Sequence, residues 1–91
     1  DYVHHTSGTP TMTIGKVNVL SGTVSAVTLP AVVDRKTVVI QKRGLAADIV
    51  VSRTGGDTIN GATTFTITGA YGAATFLGTT TTSNEWMTFG P

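Results

Sequence analysis

The chain has 91 residues, enough for one small domain, and Asp, Glu, Lys and Arg supply only 12% of it, with a net charge of +1. That is about half the usual charged share. It excludes a nucleic-acid surface built on a basic stripe, because Arg35-Lys36 and Lys42-Arg43 are isolated pairs without interleaved aromatics.

No apolar run approaches the roughly 18 residues of a membrane-spanning helix, and without cysteine no disulfide staples the fold. A domain this size buries only about two-thirds of the surface its unfolded chain exposes, so partner chains are expected to help stabilise it. Thr supplies about a fifth of the residues. It is β-branched, favours strands and offers water a neutral hydroxyl, which suits a protein displayed on an assembly.

In chain order, Asp1–Thr11 (DYVHHTSGTPT) has no apolar period and ends in a Gly-Thr-Pro break. It reads as an arm or linker, residues 1–11, leading into a single β-domain, residues 12–91. Tyr2 and Val3 are candidate contacts with a neighbouring chain. Thr13–Leu20 alternates after Gly15, with Val17 and Val19 on one face. In Thr23–Leu29, Val24 and Ala26 oppose Val27 and Leu29, so the inner face is ambiguous, and Pro30 ends the run. Thr37–Arg43 (TVVIQKR) is a clear strand, with Val38 and Ile40 inward and Val39, Gln41 and Arg43 outward. Asp48–Arg53 is a short β run with Ile49 and Val51 on one face.

The segment Gly55–Leu77 is the most regular. Ile59 lies between the turns Gly55-Gly56-Asp57 and Asn60-Gly61, an apolar plug set into one end of a β-core. Phe65 and Ile67 then alternate with Thr64, Thr66 and Thr68. Gly69–Gly72 turns the chain, and Ala73–Leu77 is expected to return antiparallel to that strand. After the polar loop Gly78–Asn84, Glu85–Phe89 places Trp86 and Thr88 on one face and Met87 and Phe89 on the other, with Gly90-Pro91 ending the strand. Trp86 is expected to seal the core. No helical period appears. The pattern predicts an all-β fold, a small antiparallel β-sandwich or β-barrel of about six to eight strands.

Chemistry is sparse. His4 and His5 are adjacent, so an extended backbone points them to opposite sides, poorly suited to one metal. The five carboxylates, Asp1, Asp34, Asp48, Asp57 and Glu85, are scattered among turns and strand ends, without a facing pair for glycoside hydrolysis or a calcium loop. Asp57 is expected to bond amides of its own turn. Neither a Gly-x-Ser-x-Gly elbow nor a phosphate loop is present. The expectation is no enzyme, no metal and no cofactor. Tyr71 and Trp86, with Tyr2, are candidates for a sugar platform, although packing is the favoured reading of Tyr71 and Trp86.

The pieces TVVIQKR, DIVVSRTGGDTING, TFTI, AATFL and EWMTFG, over about Thr37–Gly90, resemble a small β module of tailed-phage virion proteins found in tail fibres, head fibres and capsid decoration proteins. In that pattern the Ile of an Asp-Thr-Ile-Asn-Gly turn plugs the core and a Trp follows the last turn. Here these are Ile59, flanked by Asn60 and Gly61, and Trp86, with Phe65 and Ile67 between. GTTTTSNEW departs from the pattern, being longer than the expected tight turn. The resemblance implies a non-enzymatic component on the phage particle surface, bound to other capsid or tail proteins and commonly trimeric, with Asp1–Pro10 as the attaching arm. The alternatives are a receptor-binding module that grips host glycan through Tyr71, Asn84 and Glu85, and an adhesin or secreted Ig-like domain.

Overall fold

A computed structural model describes residues 1–89. It is all-β, two sheets packed face to face around one core. The elements are β1 (Tyr2–Gly8), β2 (Val17–Val24), β3 (Ala26–Thr28), β4 (Thr37–Lys42), β5 (Ile49–Ser52), β6 (Thr58–Ile59), β7 (Thr64–Ile67), β8 (Ala73–Thr79) and β9 (Glu85–Phe89). Six strands form one sheet in the order β1-β2-β4-β8-β9-β6, and three form the other in the order β3-β5-β7. Among the described residues there are thus nine strands. The expected ending at Gly90-Pro91 lies outside them.

The pairing is mixed, which corrects the expected all-antiparallel arrangement. From β1 to β5 the chain passes back and forth between the sheets, so successive passes lie parallel: β1 on β2, β2 on β4, and β3 on β5. Even the connection from β1 to β2 touches the second sheet on its way, through a parallel bridge between Thr11 and Thr28. The later strands close this coil antiparallel, β7 on β5, β8 on β4 and β9 on β8, while β6 lies parallel to β9.

Two further expectations change. The presumed arm is largely strand: Tyr2–Gly8 is the edge of the larger sheet, held by its ladder to β2. Its polar outward residues hide the β period, because an edge strand buries little. The presumed hairpin of β7 and β8 does not form either, since the turn at Gly69–Gly72 carries the chain from one sheet to the other. A side chain at Gly72 has no room, because its Cβ would collide with the Thr68 carbonyl.

Changing sheet also resolves the ambiguous run. The chain leaves the first sheet at Ser25, so side-chain parity resets there, and both Val24 and Val27 point into the core. In β2, Asn18 and Leu20 are buried along with Val24, while Val17 and Val19 face outward. In β4 the reading holds, with Val38 and Ile40 fully buried. In β5 so does that of Ile49 and Val51.

The sequence-predicted core residues fall where expected. Ile59 is buried behind a two-residue turn in which Asn60 and Gly61 both have positive φ, 50° and 80°, the geometry of a type I′ turn. Ile59 and Ala62 exchange both backbone bonds across it. Ile67 is buried, and Phe65, partly buried, meets Phe76 edge to face at 5.6 Å. Trp86 is fully buried, and its indole N–H donates to the Pro30 carbonyl at 3.0 Å. Gly78 underlies it, where a Cβ would strike the Val33 carbonyl. Asp57 is buried and accepts from the Val32 N–H at 2.9 Å. It therefore pins the distant crossing over Trp86. The side-chain bonds expected to amides of its own turn are not found among the described residues, and the turn is tied instead by the Asp57 N–H donating to the Thr54 carbonyl at 3.2 Å.

Ile59→Ala is expected to destabilise the domain by about 2–5 kcal/mol, the range for truncating a buried aliphatic side chain. Phe89→Ala on the outer surface should stay within about 0.5 kcal/mol. Urea unfolding of the two variants checks the contrast, provided both are measured as monomers.

Candidate functional site

The two outer faces of the sandwich differ. On the smaller sheet, the row Ala26, Val50 and Thr66 runs across the strands, with Ser52 and Thr64 paired beside it. That face is polar apart from Ala26 and Val50. On the larger sheet, register aligns Tyr2, Val17, Val39, Thr75 and Phe89 in one row across five strands. Leu77 and Met87 pair beside that row, and Val19 and Gln41 lie on its other side. Tyr2 is 66% exposed, Met87 47% and Phe89 53%. Among the described residues nothing covers this face. β4 therefore carries apolar residues on both sides, Val38 and Ile40 in the core and Val39 outside between Thr37 and Gln41.

Above the row the face becomes concave. Tyr2, His4, Val19, Gln41, Lys42, Arg43 and Tyr71 line a cavity of about 290 Å3. The Tyr71 wall is built rather than loose. Gln41 Nε2 donates to the Tyr71 carbonyl at 2.9 Å and to the Lys42 carbonyl at 2.9 Å. The Leu45 and Lys42 N–H groups donate to the Ala70 and Gly72 carbonyls on either side of Tyr71. Below, the Lys42 side chain turns inward, fully buried, and its Nζ donates to the Ala47 carbonyl at 2.7 Å. The Tyr71 ring remains 69% exposed.

The other wall stands on β1, and Asn18 holds β1 in place. Its amide is fully buried and donates from Nδ2 to the Thr13, Lys16 and Val39 carbonyls. Its Oδ1 accepts from the Thr13 N–H at 2.8 Å and faces His5 Nε2 at 3.1 Å. With Oδ1 an acceptor, His5 must carry its proton on Nε2. His4 points to the outer side and bonds Ser21 Oγ at 2.7 Å. The histidines therefore diverge, as adjacent residues in a strand must. A nucleophile–base reading of Ser21 and His4 needs an acceptor orienting the other ring nitrogen, and no hydrogen bond to it is found among the described residues.

Of the sequence-predicted contacts, Tyr2 and Tyr71 come together around the cavity. Val3, of opposite parity to Tyr2, is only partly exposed and stays out of it. Glu85 lies at the far end of the face with Thr79, Thr81, Thr82, Ser83 and Met87 around a smaller recess of about 220 Å3. Tyr71 and Glu85 therefore do not share a site, and Trp86, fully buried, offers no sugar platform. Among the described residues no three His, Asp or Glu side chains converge as a metal site, and no helix is long and apolar enough to cross a membrane. The outward side of Val39 and the placing of Met87 and Phe89 opposite Trp86 were read from the sequence, but that they join Val17 in one surface row was not. The available signal was an apolar Val39 at an outward position of TVVIQK. No family model, curated protein or solved structure matches the chain.

Asn18→Ala is expected to cost about 2–3 kcal/mol, because it leaves buried partners unpaired. It should also speed amide hydrogen exchange across Tyr2–Gly8 more than across β9. Uniform acceleration along both strands would show that Asn18 does not anchor β1 specifically.

Proposed function

We propose that the chain is a non-enzymatic structural module of a phage particle, a decoration or fibre component that associates with copies of itself through the outer face of the six-stranded sheet. The observation that carries this reading is the uncovered apolar row from Tyr2 to Phe89. An apolar surface of this kind on a small domain marks an interaction site. Copies of the same chain fit it because so little charge keeps copies apart. Its lining residues include few charged groups, and the chain as a whole carries only +1. The resemblance over Thr37–Gly90 supports placing it in a virion and favours three copies. The ordered β1 changes one part of that picture, since residues 1–10 cannot serve as a free tether and remain in the sheet.

Light scattering is expected to give a mass of several chains. Val39→Lys, at the centre of the row, should reduce this to one chain with an unchanged circular dichroism spectrum. A wild-type monomer would remove the self-association reading. Mass spectrometry of purified phage particles should find the chain in stoichiometric amounts, and its absence from them would remove the virion reading.

The cavity supports a second reading, recognition of an acidic saccharide. Tyr2 and Tyr71 offer ring faces to a pyranose, and Arg43 and His4 offer donors to its carboxylate. Titration calorimetry with sialyl or uronic oligosaccharides should then show binding that Tyr71→Ala abolishes and a neutral hexose does not reproduce. Equal heats from Tyr71→Ala and the wild type would dismiss it.

A further inference from the structure

We infer that copies of the chain join head to tail, with Phe89 of one copy packed against Tyr2 at the mouth of the next copy's cavity, closing a ring about an axis that runs along the strands. This rests on the self-association reading and adds its geometry.

Three observations carry it. Tyr2 and Phe89 end the same register row, so they stand at one height, separated by four strand spacings, about 19 Å. Rotation about an axis parallel to the strands brings one onto the other without any shift along it. The two ends also differ in shape. Tyr2 borders a cavity of about 290 Å3, while Phe89 and Met87 project from β9. Finally, the backbone edge beside Phe89 is closed. The Thr88 N–H donates to Asn60 Oδ1 at 3.1 Å, and Asn60 Nδ2 donates to Thr88 Oγ1 at 2.8 Å. Strand addition at that point is blocked, which leaves side-chain packing to make the junction.

A two-fold pairing of like ends fits less well. It sets cavity against cavity, leaving an unfilled void, and brings Arg43 and His4 opposite their own copies. Joining unlike ends fills the cavity mouth with an aromatic side chain. Such heterologous contacts form closed rings when the rotation closes.

The test uses complementation between two variants of the full chain, Tyr2→Asp and Phe89→Asp. Both residues are exposed within one copy, so unchanged thermal unfolding of the monomer controls for folding. Each variant alone is expected to run as a single chain in light scattering. An equimolar mixture should run as two chains, because one junction, the intact Phe89 of one variant against the intact Tyr2 of the other, survives per pair. Either variant alone keeping the wild-type mass would overturn the inference. So would a mixture that stays monomeric beside a multimeric wild type, which would leave self-association standing with a different geometry. A monomeric wild type would defeat both readings. If sialyl saccharide binds the cavity and does not lower the wild-type mass, the cavity is open in the assembly and the junction is also wrong.

Discussion

The structure depends on β4, which is bonded on both edges, buries Val38 and Ile40 on one face and presents Val39 between Thr37 and Gln41 on the other. On one edge β4 continues the parallel coil from β2, and on the other it begins the antiparallel closure through β8. Its inward residues, Val38 and Ile40, lie in the core. Its outward Val39 stands between Val17 and Thr75 on the outer face of the sheet. Every strand of the larger sheet takes its register directly or indirectly from β4. The row of apolar side chains across the outer face is therefore a consequence of the same pairing that builds the core.

The two ends of the sandwich are closed by different means. At one end the crossing from Leu29 to Val33 lies over Trp86. The Pro30 carbonyl accepts the indole N–H and the Val32 N–H finds Asp57. The lack of room for a side chain at Gly78 lets that crossing approach β8 closely. At the other end Lys42 spans the interior to the Ala47 carbonyl, while Asn18 satisfies the tight turn before β2 at the first end, where the Gly15 N–H donates to the Thr37 carbonyl. These polar anchors are buried and bonded, so they define where each loop lies at little cost in unpaired groups. Rigid loops at the upper end in turn hold Tyr71 upright as a cavity wall.

The local features were legible in the sequence where they depended on neighbours in the chain. Asn60-Gly61 dictates its own turn, Trp86 its burial, and the period of TVVIQK its inner face. Pairing partners were not legible, because a parallel coil and a row of antiparallel hairpins give the same alternation within each strand. The switch at Ser25 shows why: a change of sheet resets parity, which in one dimension looks like an ambiguous strand. β1 was hidden for a different reason. Its stability comes from the ladder to β2 and from Asn18 meeting His5, two long-range contacts that leave no hydrophobic period. The site suffered similarly. Tyr2 and Tyr71 were visible as exposed aromatics, while Arg43 and Gln41 joined them only once β1, β4 and the Tyr71 turn were placed side by side.

The composition acquires a structural meaning from the difference between the two outer faces. Thr66 and Thr64 on the smaller sheet keep strand propensity while hydrogen-bonding to water, so that side stays wet without charge. Valines in the corresponding outward positions of the larger sheet keep the propensity and give up the hydration. A monomer gains nothing from that exchange, because Val17 and Val39 on an open face add no burial to its own core. The benefit appears only when a second surface removes them from water, at about 25 cal/mol per Å2 of apolar area covered. Low charge and an asymmetric sandwich are thus two aspects of one surface: one face coated with hydroxyls that remain in solvent, and the other carrying the exposed apolar side chains on which the proposed self-association rests.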